Sequence, residues 1–188
     1  MEIHDYEKLW FGLSLLLIVA FIGTVTYGAV GAGVEMVSDD GGTVEPEFGA
    51  VYQHEKIAQQ QQAGPRAIHV EGNEYEVGIV AQRFAFIPGS GDPIEVPEDS
   101  EVTFYITSPD VIHGFSIVGT NVNTMVIPGQ MSEITVEFDE LAGNESKEYG
   151  IVCHEYCGST EQGGHEDMAG AIRVVPDEQW NQSQEGDA

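Results

Sequence analysis

Positive charge is nearly missing from this 188-residue chain: six Lys and Arg stand against 32 Asp and Glu, giving a net charge of -26. So acidic a chain excludes nucleic acid as a partner, because phosphates demand a basic face. The acids run from Glu2 to Asp187 and are not gathered in one tail. That scatter suits a surface solvated in concentrated salt, as in a halophile, where a Debye length of about 3 Å erases long-range steering. A docking patch for a cationic partner would instead be local. Cysteine is scarce too, and two residues cannot build a disulfide framework. Outside one N-terminal stretch there is no long apolar run, and no internal repeat is visible.

The exception is Leu9 to Val34, 26 positions without a charge. As a helix rising about 1.5 Å per residue it spans about 39 Å, more than the ~30 Å of a hydrocarbon core. A secretory leader has a shorter apolar stretch behind a basic start. Here the stretch is longer and the start acidic, so an uncleaved transmembrane anchor is expected. Trp10 and Tyr27 sit near its ends, where amphipathic rings favour the interface. Lys8 is the only cation close by, and the next is Lys56. That bias puts residues 1–8 in the cytoplasm and everything after Val34 outside it, a single-pass protein of the cell membrane.

Residues 35–66 are acidic and weakly periodic and end at Gly64-Pro65, so they read as a linker with a short helix near Tyr52 to Gln62. Residues 67–176 change texture, to short β-favouring runs such as YEVGIVA, VTFYITS, MSEITVEF and AGAIRVV. Gly, Pro and Asn turns separate them. This pattern predicts a mainly β domain, a sandwich or small barrel. Residues 177–188 are polar and acidic and read as a frayed tail.

Chemistry concentrates in CHEYCGSTEQGGHEDM, Cys153 to Met168. A disulfide is open on the cysteines alone, although i and i+4 meet its ~4.4–6.8 Å Cα spacing only in a tight turn. A thioredoxin-like dithiol would use Cys-x-x-Cys at a helix start. Zinc would accept Cys153, Cys157, His165 and His113 but has no use for Met168. Thiolate and thioether together are soft ligands that suit copper. Taken singly, Met168 reads as core filler and His113 as a satisfied buried histidine. Two Cys, a His, a Met and an upstream His occurring together favour copper. Two thiolates can bridge two copper ions and share one electron between them, a property useful for electron transfer and useless for hydrolysis.

Two stretches, ITSPDVIHGFSIVGTNVN (Ile106 to Asn123) and the Cys153 to Met168 loop, resemble subunit II of haem-copper cytochrome c oxidases, which carries the dinuclear CuA centre. With a single anchor the chain looks like the B-type oxidases, and its acidity looks haloarchaeal. The resemblance implies a cupredoxin-type Greek-key β-barrel. It further implies that Cys153 and Cys157 bridge two coppers, that His113 and His165 bind one each, and that Met168 and the Glu155 carbonyl are weak ligands. It implies an oxidoreductase partner subunit holding haem and copper, and a small soluble donor, a cytochrome c or a halocyanin-like blue copper protein. Electrons would pass through this non-catalytic subunit to haem in a proton-pumping oxidase. A nitric oxide reductase subunit and a membrane-tethered copper carrier are the alternatives within copper biology, and a disulfide-stapled structural subunit lies outside it.

The chain departs from the family pattern at one place. Six residues, Ser159 to Gly164, separate Gly158 from His165 where two are expected. Strict counting would put Glu161 in the histidine position. The His-x-x-Met spacing favours His165, with Gly163-Gly164 allowing an outward bulge. His154, between the thiolates, is expected to point away, as neighbours in an extended segment alternate. In many subunits II the carboxylate equivalent to Glu155 helps hold magnesium, and the B-type resemblance argues against that ion here. Trp10 and Trp180 both fall outside the expected β domain. Phe84 and Phe86 are the candidates for an exposed aromatic, although core packing is the more expected role for both.

Overall fold

The computed structural model describes residues 4–30, 44, 48–161 and 163–185. They fall into two compact units, 1–35 and 36–188. In the first, helix α1 runs Asp5–Val30, four residues ahead of the expected start; residues 31–34 of the expected span lie outside the described residues. Tyr6–Tyr27 is 22 residues long, with a mean hydropathy of 2.2 in its most apolar 18-residue stretch, long and apolar enough to cross a membrane. The charged pair Glu7 and Lys8 joins the helix because its backbone bonds begin at His4, whose carbonyl accepts from both N–H groups.

The second unit is built of strands. One sheet has the order β1 (Ile68–Glu71), β2 (Glu74–Gln82), β5 (Ser100–Thr107), β8 (Ser132–Phe138), with β3 (Ala85–Ile87) also paired to β2. The other has the order β4 (Ile94–Pro97), β12 (Ala169–Val175), β9 (Lys147–Val152), β6 (His113–Ile117), β7 (Asn123–Val126). Pairs β2–β5 and β4–β12 are parallel, and the other pairs in these sheets antiparallel. A mainly β domain with an N-terminal apolar helix is what the sequence predicts.

Alternation explains the packing. In β5, Ser100, Val102, Phe104 and Ile106 are buried, while Glu101, Thr103 and Tyr105 between them are only half-buried. Phe104 and Phe86 both pack on Phe115, with ring centroids 5.8 Å apart in each pair, so the aromatic centre of the core joins the two sheets. Each such buried ring contributes about 1.5–3 kcal/mol by leaving water.

Two expectations need correction. The second half of the acidic linker holds the expected short helix, α3 (Glu55–Ala63), but is packed rather than loose: with α2 (Phe48–Val51) it buries Val51 and Ile57 with Val44, Val80 and Met131. The approach of α3 to β2 is so close that a Cβ on Gly78 would lie 2.6 Å from the Lys56 carbonyl oxygen. Gln60 closes this contact by accepting from Gly78 N–H and donating to the carbonyls of Gly64 and Arg66. The C-terminal tail, in turn, forms α4 (Asp177–Glu185), and Trp180 belongs to the main core. Arg66 stacks on that indole at 4.4 Å and Tyr75 meets it edge-on at 5.7 Å. One tryptophan among eight polar residues leaves no amphipathic stripe, so the sequence hides this helix.

Candidate metal centre

The loop from Cys153 to Met168 leaves β9 and returns as β12, which pair antiparallel with Val152 opposite Ala169. Cys153 N–H donates to the Met168 carbonyl at 3.3 Å, so the loop is closed at its base. His113 opens β6, the strand on the other side of β9. The N–H of Gly114 then points at Cys153 Sγ, 3.3 Å away. Three segments far apart in sequence therefore converge because β6, β9 and β12 are neighbours.

The two cysteines are buried free thiols with their sulfurs 3.8 Å apart, well beyond the ~2.05 Å of a disulfide. Around them, Met168 Sδ is 3.7 Å and His165 Nδ1 3.8 Å from Cys157 Sγ. The Glu155 carbonyl oxygen is 3.1 Å from Cys153 Sγ. A ring nitrogen of His113 lies within 4.8 Å of both sulfurs. All six residues expected at the site are thus brought together.

His113 provides a test of metal binding that needs no relative. Its ring is fully buried; Nε2 lies 2.8 Å from Asp110 Oδ1, and Nδ1 has no hydrogen-bond partner. A buried polar atom without a partner costs ~1–3 kcal/mol. A metal accepting the Nδ1 lone pair removes that cost. Asp110 in turn accepts from the N–H groups of Arg83 and Val111 and from the Ser108 hydroxyl. Burial works against its charged form, but the His113 and backbone hydrogen bonds outweigh it and hold the carboxyl below the ordinary carboxylate value. In the metal-free protein, burial and then the neighbouring Cys153 sulfur push the Cys157 thiol up to about 12. A soft cation held between the sulfurs would favour their thiolate forms.

The inserted residues form a small hairpin, β10 (Ser159–Thr160) with β11 (Gly163–Gly164). His165 N–H donates to the Gly158 carbonyl at 3.0 Å, so the ends of the insertion meet and His165 returns beside Gly158. Glu161 is exposed on the hairpin. His165 starts a 3-10 turn through Asp167, whose carboxylate accepts the Gly164 N–H at 3.0 Å. His154 is exposed, its ring laid over Gly114 so closely that a Cβ there would meet it at 2.5 Å.

Both phenylalanines take the more expected role of core packing. Phe86 is fully buried and Phe84 packs half-buried against the core. Tyr156, which was not singled out, is 75% exposed and lies between the cysteines in sequence, its ring 6.0 Å from that of His165. Burial alternates strictly from Cys153 to Cys157, in, out, half-in, out, in, and the same alternation applied to His154 could have found Tyr156. Arg83, a second residue not singled out, donates from Nε to the Cys157 carbonyl at 2.9 Å.

Two buried thiols, a buried imidazole, a buried thioether and the half-buried imidazole of His165, on a two-sheet β domain, form a soft-donor site of the kind that selects copper. Comparison with known proteins gives the family. A sequence model described as "Cytochrome C oxidase subunit II, periplasmic domain" matches residues 83–173. Cytochrome c oxidase subunit 2 of Thermus thermophilus is 36% identical over 176 residues, 90% of this chain and 91% of that one. A chain from a cryo-EM structure of a heme-copper terminal oxidase dimer aligns over 90% of this chain and 99% of its own, with TM-score 0.59 and 27% identity. The periplasmic domain of subunit II (CoxB) from Bradyrhizobium japonicum, at 20% identity, covers 63% of this chain with TM-score 0.50 and shows the shared cupredoxin-like fold. The chain belongs to the cytochrome c oxidase subunit II family.

Proposed function

We propose that this chain is the electron-entry subunit of a haem-copper terminal oxidase. It takes electrons from a small soluble donor, a cytochrome c or a blue copper protein, and passes them to haem in the catalytic subunit, where oxygen is reduced. The supporting observation is the joint geometry of the site: two free sulfurs 3.8 Å apart, with two imidazoles, a thioether and a carbonyl around them. When bound, a dinuclear CuA centre would supply one-electron chemistry there.

Each residue then has a role. Cys153 and Cys157 would supply the thiolates that hold such a centre, His113 and His165 one imidazole each, and Met168 and the Glu155 carbonyl the weak outer donors. Asp110 fixes the ring of His113 by holding Nε2, leaving Nδ1 to ligate. Cys153, Cys157 and Met168 belong to the buried core cluster that also holds Phe86 and Phe115, and this burial keeps water from the sulfurs. Copper delivery as the main task would call for exchangeable ligands, and burial of His113, Cys153, Cys157 and Met168 argues against it. We further propose that α1 is a single membrane anchor with residues 1–8 cytoplasmic and the copper domain outside, and that the acidic surface is an adaptation to high salt. Residues 48–66 and 177–185 then act as parts of that domain rather than as tether and tail.

The test is to purify the full chain in detergent, load it with copper and record stoichiometry and spectra. Two coppers per chain with a mixed-valence electron paramagnetic resonance signal are expected. One copper at saturation, or none, overturns the proposal.

A further inference from the structure

Arg83 is one of only six basic residues, and the other cations of the domain are engaged away from the sulfurs. Lys56 pairs with Glu76, Arg66 stacks on Trp180, Lys147 lies over Tyr149, and Arg173 meets Glu95 and Glu148. Arg83 directly follows β2 of the first sheet, whereas the ligand-bearing segments grow from the second. It nevertheless reaches two of them. Its backbone N–H donates to Asp110 Oδ2 at 2.9 Å, and the other oxygen of that carboxylate holds His113. Its guanidinium donates through Nε to the Cys157 carbonyl at 2.9 Å and lies over Gly158, where a Cβ would be 3.5 Å from Nε. Gly158 has φ +115°, which a side chain rarely adopts.

We propose that Arg83 is a positioning residue of the metal centre, a clamp that fixes the Cys157 end of the loop against the Asp110–His113 pair. This rests on the copper reading of the site for its redox consequence but not for its mechanical one. The mechanical part is a charge-assisted hydrogen bond across the two sheets, which holds the Cys157 sulfur at its 3.8 Å distance from Cys153. The electrostatic part follows from the permanent charge of arginine. A fixed cation one peptide group from a bridging sulfur favours the more reduced, more negative state of the centre.

Two variants of the full chain separate these parts. Arg83→Leu removes both charge and donor; Arg83→Lys keeps the charge but has no Nε–H held in a planar fork. In the copper-loaded chain, Arg83→Leu should transfer copper to a chelator about tenfold faster or more, in line with other residues that orient metal ligands, and its reduction potential should fall. Arg83→Lys should keep the fast release while restoring the potential. In the copper-free chain, alkylation of the two cysteines should speed up several-fold in both variants, a readout that stands whether or not copper binds. Arg173→Leu, which breaks surface ion pairs, is the control. Wild-type alkylation in Arg83→Leu, or an equal effect in Arg173→Leu, overturns the clamp. Failure of the wild-type chain to bind copper overturns the reading of the site and leaves the alkylation result to decide the clamp.

Discussion

Asp110 holds Nε2 of His113 at 2.8 Å, three residues ahead of it in the chain and at the mouth of β6. The contact occupies Nε2 and leaves Nδ1 as the unpaired nitrogen of the buried ring. Replacing the carboxylate frees the ring to rotate and allows the other tautomer. Asp110→Ala should weaken copper binding by about 10–100-fold, the usual cost of losing such a partner. Competition against a chelator of known affinity measures it, and unchanged affinity would show that packing alone orients His113.

Cys157 lies within 4 Å of three other donor groups: the Cys153 sulfur, the His165 ring and the Met168 thioether. Its loss removes a bridge and leaves donors for at most one ion. Cys157→Ser should bind no more than one copper per chain and lose the mixed-valence signal. A retained dinuclear signal would falsify the bridging role.

The metal-free protein should be sensitive to base. With its pKa raised to about 12 from an ordinary 9.0, the Cys157 thiol is protonated in the fold at pH values where an unfolded thiol ionises. Its contribution is complete below about 9 and is lost as pH climbs toward 12. Tyr105, raised by burial and then by Glu133 from 10.0 to about 12, adds a second loss that begins higher. Between about pH 8 and pH 10 the urea midpoint of the metal-free chain should therefore fall, and fall less in Cys157→Ser. Parallel curves for the two proteins would remove Cys157 as the cause.

Trp180 is 4% exposed and held by Arg66 and Tyr75. Truncating it leaves a cavity under α4, at a cost of about 3–5 kcal/mol. Trp180→Ala should lower the thermal midpoint while leaving copper stoichiometry intact. If thermal stability stayed at the wild-type value, α4 would be dispensable.

Salt should stabilise the domain. The acids far outnumber the cations, and Lys56, Arg66, Lys147 and Arg173 are already committed to internal partners. The remaining negative charges repel one another, and molar salt screens that repulsion. The melting temperature should rise steadily as KCl goes from about 0.1 M to about 2 M. A flat response would count against the high-salt reading of the surface.

Strand-forming runs were legible because alternation and turn residues are local signals: YEVGIVA, VTFYITS and AGAIRVV fall in β2, β5 and β12. The proximity of His113, Cys153, Cys157, His165 and Met168 was legible because soft ligands are rare and their spacing is distinctive, whereas Glu155 came from the family resemblance alone. What stayed hidden was long-range or sparse. Ile57 and Trp180 are single apolar residues in polar helices, and only the surfaces they meet make them core. Asp110 and Arg83 carry no motif of their own, and their importance arises from hydrogen bonds that span 3 and 74 positions. Tyr156 has no signal of its own either: it is exposed because the cysteines on both sides of it turn inward along an alternating segment.

The Gly158–His165 hydrogen bond gives the family a place to change length at small cost. Since that N–H···O contact pins both feet of the β10–β11 hairpin, residues added between them extend into solvent without shifting His165 relative to Cys157. Natural variation can lengthen, shorten or recharge this finger independently of the cage beneath it. The position is also a natural graft point, where a peptide tag or a new recognition element could be spliced beside a redox centre whose ligands stay put.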